Sequence, residues 1–242
     1  MLDKTIRLLR KNCYNRTILK SEGGNKMRKI IGRTLQAVVA IGILCCFLIM
    51  AVGYTGCKEK LEVVPLEEKV ASLQADEDYV PLKQIDEDFL KAIVAVEDRR
   101  FFEHGALDLI SLVRAVVTNL ESGQIVEGGS TITQQLAKNM YFSGEKKIMG
   151  KVEEMFMAYH IEQNYVKQDI LQLYVNMIYF GDGYYGIKEA SEGYFNKAPG
   201  DLDFNEATLL AGLPQSPNRY ALSTNYELAK KRQTQVIASL SN

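Results

Sequence analysis

Between Lys58 and Asn242 there is not one cysteine; the chain's four, Cys13, Cys45, Cys46 and Cys57, all precede Lys58. That absence excludes a disulfide or a thiolate metal site from the larger part of the chain, so its stability must come from packing alone. Charge is missing elsewhere: from Thr34 through Cys57 there is no Asp, Glu, Lys or Arg. Also lacking are a convincing run of alternating strand residues, an internal repeat and a low-complexity segment, which argues against a β-rich or repetitive architecture. The net charge of −1, with 47% hydrophobic and 24% charged residues, is that of an ordinary globular protein and singles out no class of partner. A length of 242 residues accommodates one domain of usual size plus additional segments.

The near-zero net charge conceals an asymmetry. Before Arg33 lie Lys4, Arg7, Arg10, Lys11, Arg16, Lys20, Lys26, Arg28 and Lys29, opposed by Asp3 and Glu22. The uncharged run that follows would measure ~36 Å as a helix, enough to cross a hydrocarbon core of roughly 30 Å. It is too long for the apolar region of a cleaved signal peptide, usually ~7–15 residues. The basic excess before it places the N-terminus in the cytoplasm and the rest of the chain outside. Met27-Arg28-Lys29 is an alternative start that leaves this reading intact.

The expected layout is a basic tail at 1–33, a transmembrane helix at 34–57, a linker at 58–84 and a domain at 85–242. Apolar spacing in that domain is helical almost throughout. Asp86-Glu87-Asp88 opens a helix with Phe89, Ile93 and Val96 as its buried stripe. A second is expected over Asp108–Leu120, with Leu109, Leu112, Val113, Val116 and Val117 facing inward. Another covers Lys146–Asn164, with Val152, Met155, Phe156 and Tyr159 on its apolar side. Shorter helices are expected at Asp169–Val175, Ile187–Phe195 and Phe204–Leu210, and a last one over Tyr226–Leu240 capped by Asn225.

Three stretches carry chemistry. Glu127-Gly128-Gly129-Ser130-Thr131-Ile132-Thr133-Gln134-Gln135-Leu136-Ala137-Lys138-Asn139 joins a glycine turn to a capping box, Thr131 to Gln134. A helix start with free N–H groups beside a glycine turn suits an anion, and Gln134, Gln135 and Lys138 fall on one face. Glu97, in Ala95-Val96-Glu97-Asp98-Arg99-Arg100-Phe101-Phe102-Glu103-His104, ends an apolar helix. Partial burial and the negative helix terminus both raise a carboxylate's pKa there, as a general base near neutrality requires. Taken alone, the same residues read equally well as a surface cluster of ion pairs, and His104 as a core or capping histidine. Lys151 and Glu154, three apart, share a helix face.

Taken together, five motifs occur in order: Glu97-Asp98-Arg99-x-Phe101-x-x-His104; Gly128-Gly129-Ser130-Thr131-Ile132-Thr133-Gln134-Gln135-x-x-Lys138-Asn139; Lys151-x-x-Glu154; Ile170-Leu171-Gln172-Leu173-Tyr174-Val175-Asn176-x-x-Tyr179-Phe180-Gly181; and Ala211-Gly212-Leu213-Pro214-Gln215-Ser216-Pro217-Asn218. The set resembles the signature of the peptidoglycan glycosyltransferases, the domain of monofunctional transglycosylases and of class A penicillin-binding proteins. The resemblance covers about Ile85 to Leu240.

It implies a mostly α, lysozyme-like, two-lobed domain preceded by one transmembrane helix. It further implies an inverting polymerisation of lipid II into β-1,4 glycan strands, with release of undecaprenyl pyrophosphate. Glu97 corresponds to the family's general base. Glu154 corresponds to its second glutamate, which organises the pyrophosphate and a divalent cation, Mg²⁺ or Mn²⁺. Lys138, Lys146 and Lys151 match cations of the pyrophosphate site. Ser130, Thr131, Gln134 and Gln135 would line the donor site, with Asp98 and Asn139 as further substrate-binding positions. The implied partners are lipid II, the growing glycan chain, the bacterial plasma membrane and other cell-wall synthesis proteins, with no nucleic acid. The ending at Asn242 fits the monofunctional form.

Two positions depart from the family pattern: Ala106 where glycine is usual, and Gly150 where arginine usually precedes the third-motif lysine. Competing readings are a lysozyme-like lytic enzyme and an inactive lipid II-binding scaffold. Against the lytic enzyme stand the lysines, because a glycosidase has no anionic leaving group to stabilise; against the scaffold stand the retained Glu97 and Glu154.

Overall fold

The computed structural model describes residues 2–124, 128–142 and 148–241, with side chains described from Gly32 onward except that of Ile148. It divides into two units, Met1–Ala51 and Val52–Asn242. The first is carried by helix α1 (Leu2–Val63). Within α1, Gly32–Val63 is long and apolar enough to cross a membrane, and Leu35, Ile41 and Phe47 are exposed.

The second unit is mostly α, as expected. The stretch read as a linker is a correction: α1 continues to Val63 and α2 spans Leu66–Gln74. Leu66 and Val70 are buried in the core. Short length and seven charges among residues 58–69 hide that pair from a hydropathy reading.

Helix α3 (Glu87–Glu97) starts where Asp86 accepts from the Phe89 N–H at 2.9 Å, and Phe89, Ala92 and Ile93 are fully buried. It packs against α9 (Phe204–Gly212) and α11 (Leu222–Leu240). Helix α5 (Ile132–Tyr141) packs against α6 (Ile148–Asn164) and α7 (Lys167–Val175). These two groups supply the walls of the cleft described below. Each fully buried Phe, Ile or Leu contributes about 1.5–3 kcal/mol.

Two expected helix faces are overturned. Helix α4 (Leu109–Ser122) forms where expected, with Asp108 as N-cap accepting from the Ile110 and Ser111 N–H groups. Its apolar side chains do not face inward: Leu109, Ile110, Val113, Val116 and Leu120 are each more than half exposed, and Leu112 and Val117 nearly so. Only Ala115 of this helix is buried. On α6 the residues facing the core are Glu154, Met157, Ala158 and Ile161, whereas Tyr159 is exposed. Val152 and Phe156 instead meet the end of α1. A Cβ on Gly53 would collide with Val152, and Tyr54 stacks edge-on against Phe156 at 5.6 Å.

A small hairpin also went unforeseen. β1 (Tyr179–Gly181) pairs antiparallel with β2 (Tyr184–Tyr185). Asp182 and Gly183 between them have φ of 53° and 92°, the positive values a tight hairpin turn needs. The hairpin leads into α8 (Gly186–Phe195). A 3₁₀ turn, Leu213–Gln215, and the short α10 (Pro217–Tyr220) lead from α9 to α11. The backbone leaves helical geometry at Asn225 (φ −138°, ψ 45°), so the expected break falls there although α11 begins earlier.

Candidate active site

A cavity of about 540 Å³ opens between α3 and α11 on one side and α5 and α6 on the other. Glu97, Gln135, Lys138, Lys151, Glu154 and Arg232 are among its lining residues. A second cavity of about 290 Å³ shares Glu97, Gly128, Ser130, Gln215 and Arg232 with it and extends to Arg99 and Arg114. Glu97 therefore lies where two arms of one cleft meet.

Glu97 is the last residue of α3, with its side chain only 10% exposed. Gln135 Nε2 donates to its Oε2 at 2.8 Å, and the Tyr174 hydroxyl donates to Gln135 Oε1 at 3.1 Å. Tyr174 is fully buried, which holds its hydroxyl well above the usual phenol range and keeps it a donor. The other Glu97 oxygen, Oε1, is buried and accepts no hydrogen bond among the described residues; Arg232 Nη2 stands 4.0 Å from it. Burial pushes the Glu97 carboxyl up from its ordinary value. The Gln135 hydrogen bond and the Arg232 charge pull against that rise, and Asp98 adds to it. The raised pKa expected from the sequence is thus present, and burial is its main cause.

Asp98 is buried and works as a bracket. Its Oδ1 lies 2.7 Å from His104 Nε2, and its Oδ2 accepts from the Ile132 N–H at 3.0 Å. The anion at the start of α5 is therefore the protein's own carboxylate, and the Thr131, Ile132 and Gln134 N–H groups there are already taken. Thr131 forms the capping box with Gln134, and its hydroxyl donates to Ala106 O at 2.8 Å. Thr131 and Gln134 are both buried and occupied with each other. They fix α5 rather than line the larger cavity, and Asn139 lies on the exposed side of that helix.

Ser130 and Lys138 do line that cavity. Lys151 Nζ donates to Ser130 Oγ at 3.0 Å and pairs with Glu154 Oε1. The Lys151 side chain is 47% exposed and that of Glu154 only 6%, so the lysine supplies the accessible charge. Lys146 and Glu127 lie outside the described residues.

Asp98, His104 and Asp108 are close enough together to hold a metal among the described residues. Both Asp98 oxygens, however, are already engaged as described above. Asp108 accepts from Ser111 and pairs with Arg100. Burial alone would raise the Asp108 carboxyl, but Ser111 and Arg100 outweigh it and hold it well below the carboxylate range. This trio is a structural network that ties the Glu97 segment to α4 and α5.

Arg232, Tyr174 and Gln215 were given no role from the sequence. Arg232 follows Lys230 and Lys231 and looks like part of a solvated basic face. The signal that could have found it is helix phase: Ala229, Arg232, Gln233 and Val236 recur at buried spacing.

A buried acid facing cationic side chains across a cleft, in a mostly α domain, is the layout of a carboxylate-based enzyme. Residues 66–241 match the family model described as transglycosylase. The chain is 34% identical to penicillin-binding protein 1F of Bacillus subtilis over 232 residues, 89% of this chain and 32% of that protein. It is 42% identical to penicillin-binding protein 1A of Aquifex aeolicus over 159 residues, 66% of this chain and 22% of the relative. With penicillin-binding protein 1A of Neisseria lactamica it shares 40% identity over 185 residues, 76% of this chain and 23% of the relative. The chain belongs to the transglycosylase family, whose domain is lysozyme-like. The matched part spans about a fifth to a third of these relatives' own length.

Proposed function

We propose that the protein is a membrane-anchored peptidoglycan glycosyltransferase that polymerises lipid II into β-1,4 glycan strands and releases undecaprenyl pyrophosphate. The observation that carries this reading is one cleft with a buried, poorly solvated Glu97 on one wall and Lys138 and Lys151 on the other. A glycan hydrolase has no use for those cations, whereas a diphosphate leaving group does.

In the proposed reaction Glu97 Oε1 accepts the proton of the acceptor GlcNAc 4-hydroxyl. The freed oxygen electron pair attacks the MurNAc anomeric carbon, and the bond from that carbon to the diphosphate oxygen breaks with inversion. The departing oxygens gain negative charge beside Lys138 and Lys151. Gln135, braced by Tyr174, aims the base. Asp98 and His104 hold α3 against the start of α5, so both walls keep their separation.

A divalent cation of the Mg²⁺ or Mn²⁺ kind takes one or two carboxylates and completes its shell with substrate phosphates and water; at Glu154 it would take the place Lys151 Nζ now holds against Glu154 Oε1 and Ser130 Oγ. Glu154 would supply the carboxylate and Ser130 a hydroxyl, and the ion when bound would neutralise diphosphate charge. The apolar Gly32–Val63 stretch and the exposed face of α4 suit a protein working on a lipid-linked substrate at the plasma membrane, with the domain outside the cytoplasm. Incubating the purified protein with lipid II tests this directly. Glycan polymer is the expected product; cleavage of preformed glycan, or no reaction, would contradict it.

A further inference from the structure

Two buried polar atoms of the cleft have no hydrogen-bond partner among the described residues. Glu97 Oε1 and Arg232 Nε are both unpartnered. The two side chains, 10% and 9% exposed, approach to 4.0 Å between Oε1 and Nη2. That separation is within the range where an opposite charge stabilises a carboxylate, yet beyond the ~2.7–3.2 Å of a hydrogen bond. The guanidinium is held at this distance by its own surroundings. Nη1 donates to Gln235 Oε1 at 2.9 Å, one turn further along α11. The aliphatic stem lies on Gly212, where a Cβ would come within 3.0 Å of Arg232 Cγ and 3.3 Å of Val236.

We propose that Arg232 is a positioning residue that sets a full positive charge beside the open oxygen of Glu97 without hydrogen-bonding to it, keeping the base ionised and its lone pair free for the incoming hydroxyl. The inference rests on the general-base role given to Glu97 above. A closer arginine would make a strong charge-assisted hydrogen bond and occupy the lone pair. With no arginine, burial would push the carboxyl further toward its protonated form. Arginine suits the task because its guanidinium remains charged when buried. The other charged groups around Glu97 do not replace it. Asp98, the next residue, opposes ionisation. Lys138 and Lys151, across the cavity on α5 and α6, face the leaving-group side, and Lys151 is paired with Glu154. Tyr174 on α7 is hydrogen-bonded to Gln135, which is bonded to Glu97, and Tyr220 on α10 acts electrostatically on Arg232.

The test is an isotope-edited infrared titration of the full-length protein in detergent, following the carboxyl band absent from E97Q, alongside the pH profile of lipid II polymerisation. In R232M the Glu97 midpoint should rise by about one unit or more, with the acidic limb of kcat/KM moving the same way and turnover recovering at high pH. R232K should restore most of the shift. Q235A removes an exposed tether, so the guanidinium can close on Glu97. Turnover should then fall several-fold even where Glu97 is fully ionised, with the midpoint level or lower. An R232M midpoint equal to the parent's overturns the proposal. So does parental turnover in Q235A, which decides the matter if R232M does not fold. The titration needs no reaction, so a parent that fails to polymerise lipid II defeats the proposed function while leaving this electrostatic relation measurable.

Discussion

Asp98→Ala isolates the bracket that holds the Glu97 segment to the start of α5. The substitution leaves the Ile132 N–H and the His104 ring, both served by Asp98, without their acceptor. Each orphaned buried group costs about 1–3 kcal/mol, so a total near 4 kcal/mol is expected. At roughly 2–4 °C per kcal/mol for a domain of this size, the midpoint of thermal unfolding should drop by roughly 8–16 °C. Asp98→Asn keeps one acceptor oxygen and should recover part of the loss. The chain contains no Trp, so the assay is circular dichroism at 222 nm on detergent-solubilised protein. Polymerisation should fall as well, because Gln135 rides on α5 and aims the base. An Asp98→Ala variant that melts with the parent would refute the bracket.

Lys138→Ala should slow polymerisation about 100-fold, close to 3 kcal/mol, as removal of one donor to a developing oxyanion does elsewhere; a folded variant at parental rate would place the leaving group elsewhere. Burial raises the Glu97 pKa, so the native state binds the extra proton and stability declines as pH climbs from the unfolded value to the folded one. Glu97→Gln should therefore melt higher than the parent at neutral pH, and an equal or lower melting temperature would contradict the burial of an ionised carboxylate. On α4, Val113→Ser with Leu120→Ser should change unfolding free energy by only about 0.5 kcal/mol per site, as exposed positions do. A loss of several kcal/mol would instead restore the inward-facing helix.

The helices were legible because their apolar spacing and caps are local signals. Asp86, Asp108 and Thr131 each mark a helix start that the structure retains. What α4 buries against was not legible. Leu109, Ile110, Leu112, Val113, Val116, Val117 and Leu120 cover much of its surface, and periodicity cannot tell a protein core from a lipid face. The hairpin escaped notice because strands of three and two residues are too short to alternate, although Asp182-Gly183 is a turn signal. For the site, motif order brought Glu97, Gln135, Lys138, Lys151 and Glu154 to one cavity. It could not separate residues that face that cavity from Gln134, buried in the capping box, or from Thr131, which lines the smaller one, because neighbours on one helix differ only by phase. Arg232 comes from a distant helix, and its relation to Glu97 exists only in three dimensions.

The most direct test of the central claim, that Glu97 is the base, is single-turnover polymerisation of labelled lipid II by Glu97→Gln and Glu154→Gln across pH and metal concentration. The account predicts that Glu97→Gln binds lipid II but does not turn it over at any pH or metal concentration. Glu154→Gln should be slowed and partly restored by raised Mg²⁺ or Mn²⁺. Robust turnover by Glu97→Gln, or metal rescue of that variant and not of Glu154→Gln, would contradict it.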